Sequence, residues 1–182
     1  FLTKALYDAK KVHFDEPFMR LVHQGMITKD GAKMSKSKGN VVSPDTFVEQ
    51  YGSDVFRMYL MFMGPFTDGG DWNDRGITGI VRFVERMWNL MLTPHAEKDS
   101  DELLHQLHLA IEKLTSDIET FHFNTAIATL MELLNLAGKD GISLKSKKIL
   151  AQIIAPLAPH LAEEIWEKLG HRHSIFAEKW PE

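Results

Sequence analysis

Apolar residues fall at helical spacing along most of the chain, and Gly, Pro and short polar clusters punctuate them. Phe1, Leu2, Ala5 and Leu6, continued by Tyr7 and Val12, predict a short opening helix ending in a polar turn around His13 to Glu16. Pro17 then opens Phe18-Met19-Arg20-Leu21-Val22 as a second helix, with Gly25 placed to stop it. Met26-Ile27-Thr28 reads as a brief strand and Lys29-Asp30-Gly31 as a turn. After an extended Val41-Val42, Ser43-Pro44-Asp45 starts a helix that buries Phe47, Val48 and Tyr51 and ends at Gly52. Ser53 or Asp54 caps the next helix. From Val55 to Met63 that helix is apolar almost all round, so it should be buried on most sides, and its Arg57 needs an acid such as Asp54.

Gly64-Pro65 closes this helix. The polar stretch Thr67 to Asp74, with Gly69-Gly70, reads as a loop and as the domain boundary, with Trp72 anchoring it on a core. Beyond it the pattern is that of a bundle. Ile77, Ile80, Val81, Val84, Met87, Trp88 and Met91 make one stripe, ended by Thr93-Pro94. Leu104, Leu107, Ile111, Leu114, Ile118 and Phe121 make a seam of the kind that packs against antiparallel neighbours, and Asp99-Ser100-Asp101-Glu102 caps its start. Ile127, Leu130, Met131 and Leu134 form a third stripe, which stops before Gly138. Ser143 opens a fourth with Ile149, Leu150, Ile153 and Leu157. Pro156 and Pro159 break that helix, and His160 to Leu169 forms a last one, ended by Gly170. Trp180-Pro181 is expected to pack on the bundle. The fold class expected is mainly α: a short α/β segment over 1–72, then an antiparallel helical bundle over 73–182.

Composition narrows the function without naming it. With 44% hydrophobic and 25% charged residues, the 182 residues can build a sizeable core. The net charge of −4 is not that of a protein that holds nucleic acid by overall charge, so any RNA contact must be local. Zero cysteines exclude disulfides and thiolate metal sites. No apolar run approaches the roughly 20 residues of a membrane helix, and no signal peptide is visible. A cytoplasmic monomer without membrane contact is the expectation. Phe1 in place of an initiator Met suggests a segment of something longer.

Against this acidic background one stretch stands out. Between Lys29 and Lys38 lie four lysines and one aspartate, 4 − 1 = +3, bracketed by Gly31 and Gly39. Glycine costs least where a backbone must hinge or take positive φ. Ser35 and Ser37 add hydroxyl donors, and lysine, a point charge on a flexible stem, suits a phosphate that moves during reaction. The stretch reads as an anion site.

Other candidates carry weaker signals. Arg82 and Arg86, one turn apart, and Lys145, Lys147 and Lys148 near a helix start either meet RNA phosphates or form solvated helix faces. His105 and His108 lie one turn apart, but no third ligand stands at a recognised spacing. His160, His171 and His173 read as capping or surface residues, so no metal site is expected. Glu163-Glu164 point in different directions on a helix and read as solvated. Neither GxxxxGK[ST] nor GxGxxG is present.

The string Lys33-Met34-Ser35-Lys36-Ser37 resembles the KMSKS signature of class I aminoacyl-tRNA synthetases. Its flanks, Gln24-Gly25-Met26-Ile27, Gly39-Asn40-Val41-Val42 and Tyr51-Gly52-Ser53-Asp54 with Arg57, are similar to the synthetases for aliphatic amino acids. Met61-Phe62-Met63-Gly64-Pro65, the Phe123 to Ile127 run and the Ala155 to Glu164 run look most like the leucyl-tRNA synthetases. The resemblance implies the end of a catalytic domain followed by a bundle of the anticodon-binding type. It further implies ATP with its Mg2+, leucine and tRNA(Leu) as ligands of the whole enzyme. Lys36 and then Lys33 would be the catalytic cations, Ser35 and Ser37 would bond phosphate or hold the loop, and Met34 would anchor it. The family's other signature, HIGH, is absent from these residues, as are the leucine pocket and editing domain, so this piece alone should be inactive. An isoleucyl or valyl enzyme, or a noncatalytic helical RNA-binding module, remains the alternative.

Overall fold

The computed structural model describes residues 1–182 apart from the side chain of Asp140. The chain begins with α1 (Leu2–Asp8), which buries no residue. A three-stranded sheet follows from β1 (Met26–Lys29), β2 (Ala32–Lys33) and β3 (Gly69–Trp72), in the order β2-β1-β3. β1 pairs antiparallel with β2, and parallel with β3 in the register Met26 to Gly69 and Lys29 to Trp72. Between β2 and β3 come α2 (Pro44–Tyr51) and α3 (Ser53–Phe62). The rest is helical: α4 (Ile77–Leu92), α5 (Asp101–Glu119), α6 (Phe123–Asp140), α7 (Leu144–Ile154) and α8 (Pro159–Lys168).

Local chemistry explains most of the helix starts. Pro44 and Pro159 occupy first-turn positions, where a missing N–H costs nothing. The Ser100 and Ser143 hydroxyls each accept from a backbone amide three residues on, Leu103 and Ser146 respectively, both at 3.2 Å. One core then runs from Val55 in α3 to Ile175 beyond α8, with Met58, Ile80, Met87, Leu114, Ile127, Leu130 and Ile165 fully buried. Burial of each such side chain contributes about 1.5–3 kcal/mol. Because α3 lies against α2, α4, α6 and α8, it ties the sheet segment to the bundle.

Five expectations about the elements are corrected. The first concerns α2, which fully buries none of its residues: Val48 is exposed and Phe47 and Tyr51 are only partly buried. Residues 17–25 form no helix: Phe18, Met19 and Leu21 stay exposed, and a short helix with nothing to bury against does not hold in water. Gly25 acts differently, its amide donating to Phe66 O at 2.7 Å beside Gly69, where a Cβ would sit 2.0 Å from Gly69 N. The supposed loop at Thr67–Asp74 holds β3, with Trp72 buried as expected.

The α5 seam is rotated, burying Leu103, Leu107, Ala110, Ile111, Leu114 and Asp117, while Ile118 is only partly buried. Asp117 hid this seam, because an acid at a core position breaks an apolar stripe. It is satisfied there by Lys113 Nζ at 2.8 Å and Thr125 Oγ1 at 2.7 Å. Lastly, α6 runs through Gly138 to Asp140. A glycine inside a helix costs only about 1 kcal/mol, which the packing of Leu134 and Ala137 outweighs.

Candidate functional site

The lysine stretch is a hairpin followed by a tight 3₁₀ turn. Asp30 and Gly31 both take positive φ, 54° and 69°, which makes the two-residue connection between β1 and β2. The Asp71 carboxylate on β3 holds this turn, accepting from Gly31 N at 3.0 Å and Thr28 Oγ1 at 2.6 Å. Those two bonds, the hydroxyl's first, hold the Asp71 carboxyl below its usual range. Lys33 ends β2, Met34 packs against the core, and Lys36–Lys38 form the 3₁₀ turn, closed by Gly39 at φ 66°.

Asn40 clamps the loop across its mouth. Its Oδ1 accepts Ser35 N at 2.9 Å and its Nδ2 donates to Lys33 O at 3.3 Å. The Ser35 and Ser37 hydroxyls lie 3.2 Å apart and share a hydrogen bond.

The four lysines divide into two kinds. Lys29 Nζ stands 3.8 Å from Asp74, whose other oxygen accepts the Trp72 indole N–H at 2.6 Å. Trp72 in turn lies edge-on to Phe47 and Tyr59, with ring centres 4.7 and 5.0 Å away, so Lys29 is tied to the aromatic core. Lys33, Lys36 and Lys38 are exposed, and among the described residues none forms an ion pair. Three free ammonium groups on a braced turn, with two hydroxyls between them, are chemically equipped to receive a polyphosphate. Asn40 and Asp71, which hold the turn, were missed as site residues. Asn40 enters the sequence reading only as part of a flank, and Asp71 lies forty residues along the chain from the turn it braces.

The weaker candidates separate. Lys145, Arg82 and Arg86 are exposed, Arg86 donating to Asn135 Oδ1 at 2.7 Å, and Lys148 is half-buried. Lys147 is not available to RNA. It is 1% exposed and its Nζ donates to Met91 O at 3.0 Å and Thr93 O at 2.6 Å, closing the C-terminus of α4. Burial pushes its ammonium below the usual lysine range.

Arg57 is exposed and donates to Pro156 O at 3.1 Å, so the predicted pairing with Asp54 is not formed. Asp54 instead accepts Leu161 N at 2.7 Å and faces His160 Nδ1 at 2.8 Å, capping α8 from α3. Glu163 likewise is engaged by Ser174 and by Ile175 N.

With the loop and bundle described, comparison with known proteins decides the family. Residues 2–72 match the model for tRNA synthetases class I (I, L, M and V), and residues 100–182 match the anticodon-binding domain of tRNA ligase. The whole chain aligns with the leucine–tRNA ligases of Pseudothermotoga lettingae at 46% identity and Thermotoga maritima at 45%. The chain belongs to the leucyl-tRNA synthetase family. It spans about a quarter of these relatives' length, 25% of each. A solved leucyl-tRNA synthetase of Agrobacterium radiobacter K84 (agnB2), in a ternary complex with tRNA and LeuAMS, superposes with a TM-score of 0.85 at 36% identity, over 99% of this chain and 26% of that one. Within the leucyl-tRNA synthetase family, then, this chain carries the KMSKS string on its braced turn and the helices that follow it. No helix among the described residues is long and apolar enough to cross a membrane.

Proposed function

We propose that the chain supplies the ATP-phosphate loop and the tRNA-contacting bundle of a leucine–tRNA ligase. The whole enzyme would join leucine to ATP with release of pyrophosphate and pass the leucyl group from the adenylate to tRNA(Leu). The observation carrying this reading is the set of exposed, unpaired ammonium groups at Lys33, Lys36 and Lys38 on the turn clamped by Asn40. We divide the chain at 1–72 for the catalytic end and 73–182 for the bundle. Support comes from the two family matches and from the leucyl-tRNA synthetase that superposes as a complex with tRNA.

The chemistry follows from charge. The leucine carboxylate attacks the α-phosphorus, the bond to the bridging oxygen breaks, and negative charge accumulates on the departing pyrophosphate. Preorganised cations aimed at that charge lower the barrier selectively. As charged hydrogen bonds worth about 1.5–3 kcal/mol each, Lys33 and Lys36 together contribute about 3–6 kcal/mol. That corresponds to roughly 10²–10⁴ in rate. Ser35 and Ser37 would add neutral donors, and Met34 keeps the turn seated on the core. Residues 33–38 carry no carboxylate, the usual protein ligand of Mg2+, so that ion would be held chiefly by the triphosphate. Arg82, Arg86, Lys145 and the half-buried Lys148 are the tRNA-facing candidates that stay accessible.

The test is Lys36→Ala in the longer enzyme. Single-turnover adenylate formation should slow while the protein stays folded, and an unchanged rate overturns the assignment. The 182-residue chain alone should give no leucine-dependent pyrophosphate exchange.

A further inference from the structure

The geometry points to a divalent transition-metal site, of zinc type, formed by His171, His173 and Glu178 in the segment after α8. Each of the three offers a donor atom within 4.8 Å of the other two. Two imidazoles and a carboxylate are a donor set that zinc accepts, with a fourth position left for water or an incoming group. The sequence pattern alone gave no metal site, because a His-x-His spacing without a placed carboxylate is common.

Backbone hydrogen bonds put these side chains together. Leu169 N, Gly170 N and His171 N donate to Ile165 O, Glu167 O and Trp166 O at 2.9, 2.9 and 3.2 Å, ending α8 with Gly170 at φ 94°. This reversal stacks the His171 ring on the Trp166 indole, 3.7 Å between centres and 10° between planes. Glu163 of α8 engages the Ser174 hydroxyl and Ile175 N, the latter at 3.2 Å, fixing the start of the 3₁₀ turn Ile175–Ala177. Glu178 N donates to Ile175 O at 3.1 Å, and that turn delivers the Glu178 carboxylate to His173 Nε2 at 2.6 Å.

Two polar atoms of this stack are left over, the Trp166 indole N–H, which can only donate, and one nitrogen of His171, which can accept or bind a cation. His171 Nε2 is out of contact with solvent and has no hydrogen-bond partner among the described residues. A ring nitrogen buried without a partner costs free energy that a bound cation or a polar ligand recovers. His171 and His173 line a surface cavity of about 1110 Å³ together with Glu163, Glu164, Glu167 and Arg172, three carboxylates against one guanidinium, a balance that favours a cation although Lys148 also acts on His171. Binding requires only that the exposed His173 and Glu178 separate enough to share the ion. It would clip the segment after Gly170 to α8.

Calorimetric titration of the full chain with Zn2+ tests this. One ion per chain is expected, with affinity falling at least about tenfold, or 1.4 kcal/mol, in His173→Ala and in Glu178→Gln. The double variant His105→Ala/His108→Ala should bind as the parent does. Zn2+ should also change Trp166 fluorescence in the parent and not in Glu178→Gln, which reads out His171 without removing its stacked ring. Co2+ in place of Zn2+ should show visible absorption bands of a tetrahedral site. No saturable uptake, several equivalent weak sites, or unchanged affinity in both His173→Ala and Glu178→Gln overturns the site. Thermal unfolding of each variant without metal establishes that it folds.

Discussion

The Asn40 carboxamide joins the two ends of the lysine turn, accepting Ser35 N at 2.9 Å while donating to Lys33 O at 3.3 Å. Asn40 closes the 3₁₀ part of the turn, while Asp71 braces the hairpin before it. In Asn40→Ala the Ser35 amide should lose its protection and exchange with solvent up to about tenfold faster, the equivalent of one bond of about 1 kcal/mol. Hydrogen exchange read at Ser35 checks this; unchanged protection would show that Asn40 does not hold the loop.

Lys29 and Lys36 should behave differently despite sharing one charge cluster. Lys29 is tied to Asp74 and through it to Trp72, whereas Lys36 forms no ion pair among the described residues. In the longer enzyme Lys36→Ala should slow adenylate formation about 10- to 100-fold. Lys29→Ala should change that rate less than about fivefold, since a partly exposed ion pair of this kind is worth at most about 1 kcal/mol. Single-turnover kinetics on both variants separate the two roles.

Lys145 and Lys147, two residues apart, should divide between RNA binding and stability. Lys145→Ala should weaken tRNA binding and lower the slope of log affinity against log salt by about 0.9 if it meets one phosphate. Lys147→Ala should leave that slope unchanged and lower stability by about 2–4 kcal/mol. It strands the Met91 carbonyl of α4 and the Thr93 carbonyl just after it, and empties a buried site. Filter binding over a salt series, with denaturant melts alongside, checks both.

Acid should loosen the junction of α5 and α7. Asp99 is 7% exposed and accepts Ser143 N, Ser143 Oγ and Ser146 Oγ at 2.7, 2.5 and 2.8 Å. Burial raises its pKa, but the three bonds, helped by nearby Lys145, outweigh burial and hold the carboxyl below its ordinary 3.8. A depressed carboxyl pKa gives stability that is present above pH 3.8 and lost as pH falls through the folded-state value. Urea midpoints should therefore drop between pH 5 and pH 3 more in the parent than in Asp99→Asn. At pH 7 that variant should be less stable by about 1–3 kcal/mol.

How much of this was legible in the sequence depended on distance along the chain. The turn at Asp30-Gly31, the Ser100 and Ser143 caps and the helix start at Pro44 rest on neighbours within four residues, and their residue types announce them. The helix expected over 17–25 rested on local pattern too, yet failed because no apolar surface covers Phe18 or Leu21. Lys33 and Lys36 stand exposed and without an ion pair among the described residues, as lysines in a polar stretch lead one to expect, whereas the bond between the Ser35 and Ser37 hydroxyls is a product of the turn's geometry.

By itself the sequence determined the chemistry of the lysine turn, the family and most helix starts and stops, because these are properties of short stretches. Only the tertiary structure decided which charges are spent internally. Lys147 closes α4, Asp54 caps α8, Asp117 fills a core position and Asp71 braces the hairpin. Each satisfies a helix end, a turn or a side chain brought close by folding, and for Lys147, Asp54 and Asp71 the partner lies forty or more residues away. A buried polar group is tolerated only where such a partner arrives, and the chain's folding, not the residue's own neighbours, determines where that is.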